Sequence, residues 1–295
     1  MSPAPRLFVL ASYMRDVSIT VDRFPVPGET RTGDDGLEAP GGKGSNQAIQ
    51  AARCGASVAI AAAVGDDAAG RAALALWAAE GIDTAGVVTR PGHATGLAVI
   101  LVDRAGENQI VIAPGANRQL QPADLIPMHR AIAGARLVLA QLETPIASTV
   151  AAFSQARASG VTTLLNAAPV MADLPEPLCA LTDILVVNEL EAAALAGREP
   201  DSDPHTVGQR LLARFERVVI TLGERGALLF QRGEATLHCP APAVTVIDST
   251  GAGDAFVGAF ATHWAATGDA GAALARGVSA GSLACTTRGA VPVRG

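Results

Sequence analysis

In the segment Asp183-Ile184-Leu185-Val186-Val187-Asn188-Glu189-Leu190-Glu191-Ala192-Ala193-Ala194-Leu195, an unbroken apolar run gives way at Asn188 to a run of helix formers. A continuous apolar run without polar alternation suits a strand covered on both faces. An Asn followed three residues later by Glu suits a helix start. The same alternation extends in both directions. Strands are predicted at Arg6–Ser12, Val58–Val64, Arg136–Ala140, Val161–Asn166, Asp183–Val187 and Arg217–Leu222. Helices are predicted at Gly44–Cys54, Asp66–Glu80, Pro122–Ile132, Pro145–Ser159, Glu189–Leu195, Pro204–Phe215, Ala252–Thr267 and Asp269–Cys285. Apolar strands interleaved with helices of this length imply an α/β fold. It is a three-layer sandwich with a mostly parallel central sheet and helices on both faces.

Two segments break the rhythm. Val17–Pro40 carries the turn signals Pro25-Val26-Pro27-Gly28 and Gly33-Asp34-Asp35-Gly36. Gly96–Ala113 holds the apolar runs Leu97–Val102 and Gln109–Ile112 around the hairpin-like turn Asp103–Asn108. Neither has a helix to complete a βαβ unit. The expectation is one domain over residues 1–295, with a small antiparallel sheet from about 14–40 and 96–113 serving as a lid. A pair of edge hairpins is the plainer alternative.

The 295 residues are 49% hydrophobic and 17% charged, which is ample apolar material for a core and too little charge for disorder. Aromatics make up 3%, so Ala, Val, Leu and Ile have to fill that core. The net charge is −6 without a basic run, which argues against a nucleic-acid partner. No apolar window is long enough for a membrane span, and Leu7–Ala11 is too short for a signal peptide. Cys54, Cys179, Cys239 and Cys285 are widely spaced, so buried free thiols in a reducing cytoplasm are expected. Of the 22 basic residues only Lys43 is a lysine, and it sits in a glycine-rich loop.

Four stretches carry chemistry. Asp248-Ser249-Thr250-Gly251-Ala252-Gly253-Asp254-Ala255-Phe256 is a glycine-rich turn entering a helix. Free N–H groups at a helix start and the helix dipole favour an anion there. Asp254 beside such a nest could accept a proton from an attacking hydroxyl, or it could simply cap the helix. Gly41-Gly42-Lys43-Gly44-Ser45-Asn46-Gln47 is neither a P-loop nor a dinucleotide fingerprint. It suits a hydroxylated ligand held by backbone groups and an amide, or a tight loop with a helix cap. Asn188 and Glu191 follow a strand end, where ligands of α/β sheets sit, and a carboxylate there could hold Mg²⁺ through water. Thr221-Leu222-Gly223-Glu224-Arg225-Gly226 ends another strand with turn chemistry suited to a nucleotide contact, and Glu143 closes a further one.

Taken in this order, with Asp16 and Phe24-Pro25-Val26-Pro27-Gly28-Glu29-Thr30, these residues resemble the ribokinase-like (PfkB) family of sugar kinases over essentially the whole chain, and most closely its ribokinases. The resemblance implies ATP-dependent phosphorylation of a pentose primary hydroxyl, D-ribose to D-ribose 5-phosphate. Asp254 matches the catalytic base, and Gly251, Ala252 and Gly253 the anion hole. Asp16, Gly42, Lys43, Asn46 and Glu143 match sugar-binding positions. Asn188 and Glu191 match the element that supports Mg²⁺ and the phosphates. Thr221, Gly223, Gly226 and Gly253 fall at nucleotide-contacting positions. Asp248, Thr250 and Gly289 match a monovalent-cation site, usually filled by K⁺. The resemblance further implies a β lid that pairs into a homodimer, and a cytoplasmic enzyme.

Three departures bear on these expectations. Met14 stands where ribokinases carry an Asn two residues before the sugar-binding Asp. A thioether wall suits a sugar lacking a hydroxyl, which makes 2-deoxyribose an alternative substrate. Val293 replaces a small polar residue near the cation site, and the chain stops at Gly295 where relatives continue into a further short helix. A nucleoside or hexose kinase and a non-catalytic sugar sensor are the remaining rivals. The few aromatics weigh against a nucleoside, and the intact Asp254 and glycine nest against the sensor.

Overall fold

The computed structural model describes residues 4–34 and 36–291; Val293 and the chain end at Gly295 lie outside the described residues. The first elements are β1 (Arg6–Leu10), β2 (Met14–Thr20), β3 (Leu37–Gly41), α1 (Lys43–Arg53), β4 (Ser57–Gly65), α2 (Ala68–Ala79), β5 (Asp83–Arg90), β6 (Gly96–Val102) and β7 (Asn108–Ala113). After the 3-10 turns Gly115–Gln119 and Pro122–Met128 come α3 (His129–Ala133), β8 (Leu137–Ala140), α4 (Ile146–Ala158), β9 (Thr162–Asn166), α5 (Glu176–Ala180), β10 (Ile184–Asn188) and α6 (Glu189–Ala196). The last are α7 (Pro204–Leu211), β11 (Arg217–Thr221), β12 (Ala227–Gln231), β13 (Leu237–Cys239), α8 (Ala252–Thr267) and α9 (Ala270–Ala284).

Nine strands form the main sheet in the order β13-β12-β11-β10-β9-β8-β1-β4-β5. The seven from β11 to β5 run parallel, and β12 and β13 join antiparallel at one edge. The two-residue period of each strand splits the core in two. Phe8, Leu10, Leu165, Leu185 and Val187 face one layer, with Phe153 of α4 and Leu211 of α7. Leu7, Val9, Leu164, Ile184 and Val186 face the other, with Ile49 of α1, Trp77 of α2 and Phe260 of α8. This is the predicted α/β sandwich.

A separate four-stranded sheet has the order β3-β2-β6-β7. It is mixed rather than antiparallel. β2 pairs β3 antiparallel and β6 pairs β7 antiparallel, but β2 and β6 run parallel over seven residues. The excursion to α1, β4, α2 and β5 lies between β2 and β6, so the chain re-enters this sheet in the same direction. The helix expected over Pro122–Ile132 is a 3-10 stretch followed by the short α3, because Pro127 cannot donate to an α-helical ladder. Of the four thiols only Cys179 is buried; Cys54 is exposed at the end of α1, and Cys239 and Cys285 are half-buried. Among the described residues no helix is long and apolar enough to cross a membrane.

Candidate active site

Parallel strands end on the same edge of a sheet, so their last residues become neighbours. Asn166, Asn188 and Thr221 end β9, β10 and β11. They line a cavity of about 120 Å³ with Lys43, Glu191, Gly251, Gly253 and Asp254. Asn188 and Glu191 form a capping box on α6: the Asn188 side chain accepts from the Glu191 N–H at 2.8 Å, and Glu191 Oε2 accepts from the Asn188 N–H at 2.9 Å. Structural capping and exposure to the cavity thus coexist in the same two residues.

The start of α8 closes this cavity. Gly251 sits at φ +77°, and a Cβ there would lie 2.6 Å from the Ala290 Cα, so glycine is required on both counts. No side chain caps this helix. The Ala252 N–H donates to the Ser249 carbonyl at 3.2 Å, while a Cβ on Gly253 would meet nothing within 4 Å. An uncapped helix start with an open glycine face concentrates N–H dipoles on the cavity.

Asp254, in the first turn of α8, is buried. Its Oδ2 accepts from Asn46 Nδ2 at 2.9 Å and its Oδ1 from Gln47 Nε2 at 2.8 Å. Burial pushes its proton affinity up, against the pull of Lys43 and the two amide donors. Glu143 accepts at Oε2 from the Ser12 hydroxyl at 2.6 Å and from the Lys43 N–H at 2.9 Å, and burial raises it as well. Asp16 is raised to about 6, first by burial and then by the charges of Glu143 and Asp254. Burial works against the Lys43 ammonium, but Asp254, Glu143 and Glu191 outweigh it and the net shift is upward. Glu191 is raised chiefly by burial. Three carboxylates, Asp254, Glu143 and Glu191, therefore share one cation. Gly42 sits at φ +92°, and a Cβ there would lie 2.8 Å from the Ser12 carbonyl oxygen, while Gly41 leaves the space that the Asp16 carboxylate occupies.

A second cavity, of about 710 Å³, adjoins the first through Thr221 and Gly253. Gly223, Gly226 and Ala252 line it, and Val244, Val246, Phe256 and Val278 make its walls largely apolar. Asp248, Thr250 and Gly289 form a separate turn: Asp248 accepts from the Thr250 N–H and the Gly289 N–H, each at 2.9 Å. These bonds keep the Asp248 carboxyl below its usual range despite partial burial. Among the described residues no group of three or more His, Cys, Asp or Glu could hold a metal ion. Met14 is buried on the face of β2 that Asp16 shares, and its sulfur lies 3.6 Å from the Asn117 amide nitrogen.

Sequence reasoning passed over Ser12, Gln141 and Asn166, and quoted Gln47 only as the end of a motif. Polar residues directly after apolar strands were the available signal for Gln141 and Asn166.

The doubly covered parallel sheet, with an uncapped, glycine-started helix and a buried carboxylate at its strand ends, has the architecture of a sugar-phosphorylating enzyme. The chain belongs to the pfkB family of carbohydrate kinases, whose model matches residues 4–293. It is 40% identical over 267 residues to ribokinase of Mus musculus, spanning 89% of this chain and 82% of that protein. It is 32% identical over 290 residues to deoxyribokinase of Salmonella typhi, spanning 95% and 92%. The structure of Arabidopsis thaliana ribokinase complexed with ribose and ATP superposes with a TM-score of 0.90 at 29% identity, covering 98% of this chain and 95% of that one.

Proposed function

We propose that this kinase transfers the terminal phosphoryl group of ATP to the primary hydroxyl of a pentose, D-ribose foremost. One observation carries the reading: Asp254 is a buried carboxylate in the first turn of an uncapped, glycine-started helix. It bonds Asn46 and is coupled to Asp16 and Glu143 on the sugar side and to Lys43 and Glu191 on the cavity side. The hydroxyl oxygen attacks the γ-phosphorus, the bond to the β–γ bridging oxygen breaks, ADP leaves, and the hydroxyl proton passes to Asp254. The Gly251, Ala252 and Gly253 segment stabilises charge on the transferred group. Asp16, Gly42, Lys43, Asn46 and Glu143 hold the sugar. Asn46 Oδ1, buried without a protein partner among the described residues, accepts from a sugar hydroxyl.

Thr221, Gly223, Gly226 and Gly253 hold the nucleotide along the larger cavity. Mg²⁺ usually takes one or two carboxylates plus substrate phosphates, so Glu191 and Asn188 fit it, and bound there it neutralises phosphate charge. An ionised Asp248 that accepts from Thr250 and Gly289 suits K⁺ in that turn. Residues 1–295 act as one unit, with the segments 14–40 and 96–113 as a lid. The exposed Ile110, Val111 and Ile112 on the outer strand β7 support pairing of two lids in a cytoplasmic homodimer. The ribokinase relatives support ribose as substrate. Met14 and the deoxyribokinase relative favour a second reading, 2-deoxyribose.

The test is ADP release from ATP·Mg²⁺ with K⁺ over ribose, 2-deoxyribose, fructose and adenosine. Turnover on a pentose is expected to exceed the other two. Faster turnover on fructose or adenosine would overturn the pentose assignment. Sugar binding without any turnover would favour the sensor.

A further inference from the structure

Four buried side chains from four elements meet behind the site. Gln47 lies on α1, Gln141 directly follows β8, Asn166 ends β9 and Asp254 starts α8. Gln47 is 0% exposed and Gln141 1%. Their hydrogen bonds have a fixed direction, set by a backbone carbonyl. The Val186 carbonyl can only accept, so Asn166 turns its Nδ2 toward it, at 3.1 Å. Asn166 Oδ1 then faces Gln47 and must receive a donor, which Gln47 Nε2 supplies at 2.8 Å. The second hydrogen of that same nitrogen points to Asp254 Oδ1 at 2.8 Å. Gln47 Oε1 is left on the far side, where it accepts from Gln141 Nε2 at 2.7 Å. Turning over the Gln47 amide would set acceptor against acceptor at both Asn166 and Asp254.

Asn46 has no comparable support. Its Oδ1 is unpartnered among the described residues, so only its bond to Asp254 fixes which way its amide faces. The carboxylate therefore has one locked donor and one adjustable donor. The lock matters because the surroundings oppose ionisation. Asp16 on β2, Glu143 after β8 and Glu191 on α6 are all coupled to Asp254, and Lys43 at the start of α1 is the single opposing cation.

We propose that Gln47, locked in one amide orientation by Asn166 and supported by a hydrogen bond from Gln141, is a positioning residue that keeps Asp254 an aligned, ionised carboxylate ready to accept the sugar proton. The proposal rests on the reading of Asp254 as the base.

The experiment follows kcat against pH at saturating sugar and ATP for the unaltered protein, Gln47→Leu, Gln141→Leu and the double variant, with Asp16→Asn and Asp254→Asn as controls. Losing one hydrogen bond to the charged form should move the acid limb of Gln47→Leu upward by about one pH unit. The sugar KM should change less than about threefold, since the bonds of Gln47 go to Asn166, Gln141 and Asp254. Gln141→Leu should shift the limb in the same direction by less. The double variant should shift it no further than Gln47→Leu alone, because Gln141 acts through Gln47. The limb should persist in Asp16→Asn. An unmoved acid limb in folded Gln47→Leu overturns the proposal. Should that variant fail to fold, an unmoved limb in Gln141→Leu does the same. Near-normal turnover of Asp254→Asn would instead sink the base assignment itself. Collapse of Asp254→Asn with unmoved limbs in both Gln variants would sink only the positioning role.

Discussion

Replacing Asp254 by Asn separates chemistry from architecture better than any other single change here. The side chains are nearly isosteric, so packing on the first turn of α8 is retained. The polar consequences follow from the hydrogen-bond directions. Gln47 must go on donating, so the new carboxamide turns its oxygen toward Gln47 and its NH₂ toward Asn46. Asn46 now turns over and accepts with the Oδ1 that lacked a partner. Asn46 Nδ2 then faces the sugar side in place of Oδ1, where it can donate to a hydroxyl, so the number of unpartnered buried groups does not rise, and a buried charge is removed. The sign of the stability change follows from the raised proton affinity of Asp254 in the fold. Such a group costs stability as pH rises through its folded value, and that cost is complete above it. At pH 7.5 the Asn variant should therefore unfold at the same temperature as the unaltered protein or higher. Ribose affinity by titration calorimetry should stay within about threefold, while kcat from coupled ADP release should fall by about 10² to 10⁴. A kcat within tenfold of normal would refute the general-base argument. A drop of more than about 5 °C in the midpoint, on the order of 2 kcal/mol for a chain this size, would refute the hydrogen-bond argument.

Three further outcomes are expected. Asp16 is held at about 6 from an ordinary 3.8, first by burial and then by Glu143 and Asp254. The sugar KM should accordingly rise about tenfold for each unit of pH below 6 and level off in Asp16→Asn, and a flat KM profile in the unaltered protein would refute it. The same raised value means that the Asp16 contribution to stability falls as pH increases from its unfolded value to about 6. Met14→Asn puts an amide on the β2 face that carries Asp16, and the ribose to 2-deoxyribose ratio in kcat/KM should rise at least about tenfold; an unchanged ratio would mean that Met14 only packs. Gly251→Ala would force a side chain to φ +77° and into the Ala290 backbone. It should lower kcat by about 10² with sugar affinity retained, and normal turnover would remove Gly251 from the anion hole.

The main sheet was legible where its physics is local. Ile184–Val187 is apolar throughout because both faces are covered, and α8 spans Ala252–Thr267 as expected because glycines with positive φ bracket it. β5 was missed because it is an edge strand, with Asp83, Thr84, Thr89 and Arg90 among its eight residues. β12 and β13 were missed because they extend the sheet antiparallel, without the helix that announces the other strands. The parallel pairing of β2 with β6 was hidden for a different reason: pairing direction is set by the path of the intervening chain, which no local pattern encodes. At the site, the Gly251–Asp254 turn announced itself through helix-start chemistry, whereas Gln47 is an ordinary helix former whose partner lies 207 positions away.

The choice of carboxamides around Asp254 has its own logic. A base needs proton affinity, which burial supplies here, and it needs alignment, which requires donors. A guanidinium or ammonium in place of Gln47 would align the carboxylate but depress its proton affinity through its charge. An amide donates without a net charge, so it fixes one oxygen and leaves most of the affinity intact. Its weakness is that it can flip, presenting an oxygen where a donor is required. The bond from Gln47 to Asn166 removes that weakness by anchoring the sequence of donors and acceptors on the Val186 carbonyl, which cannot reverse its role. Among the described residues the cation coupled to Asp254 is Lys43, which also lines the strand-end cavity.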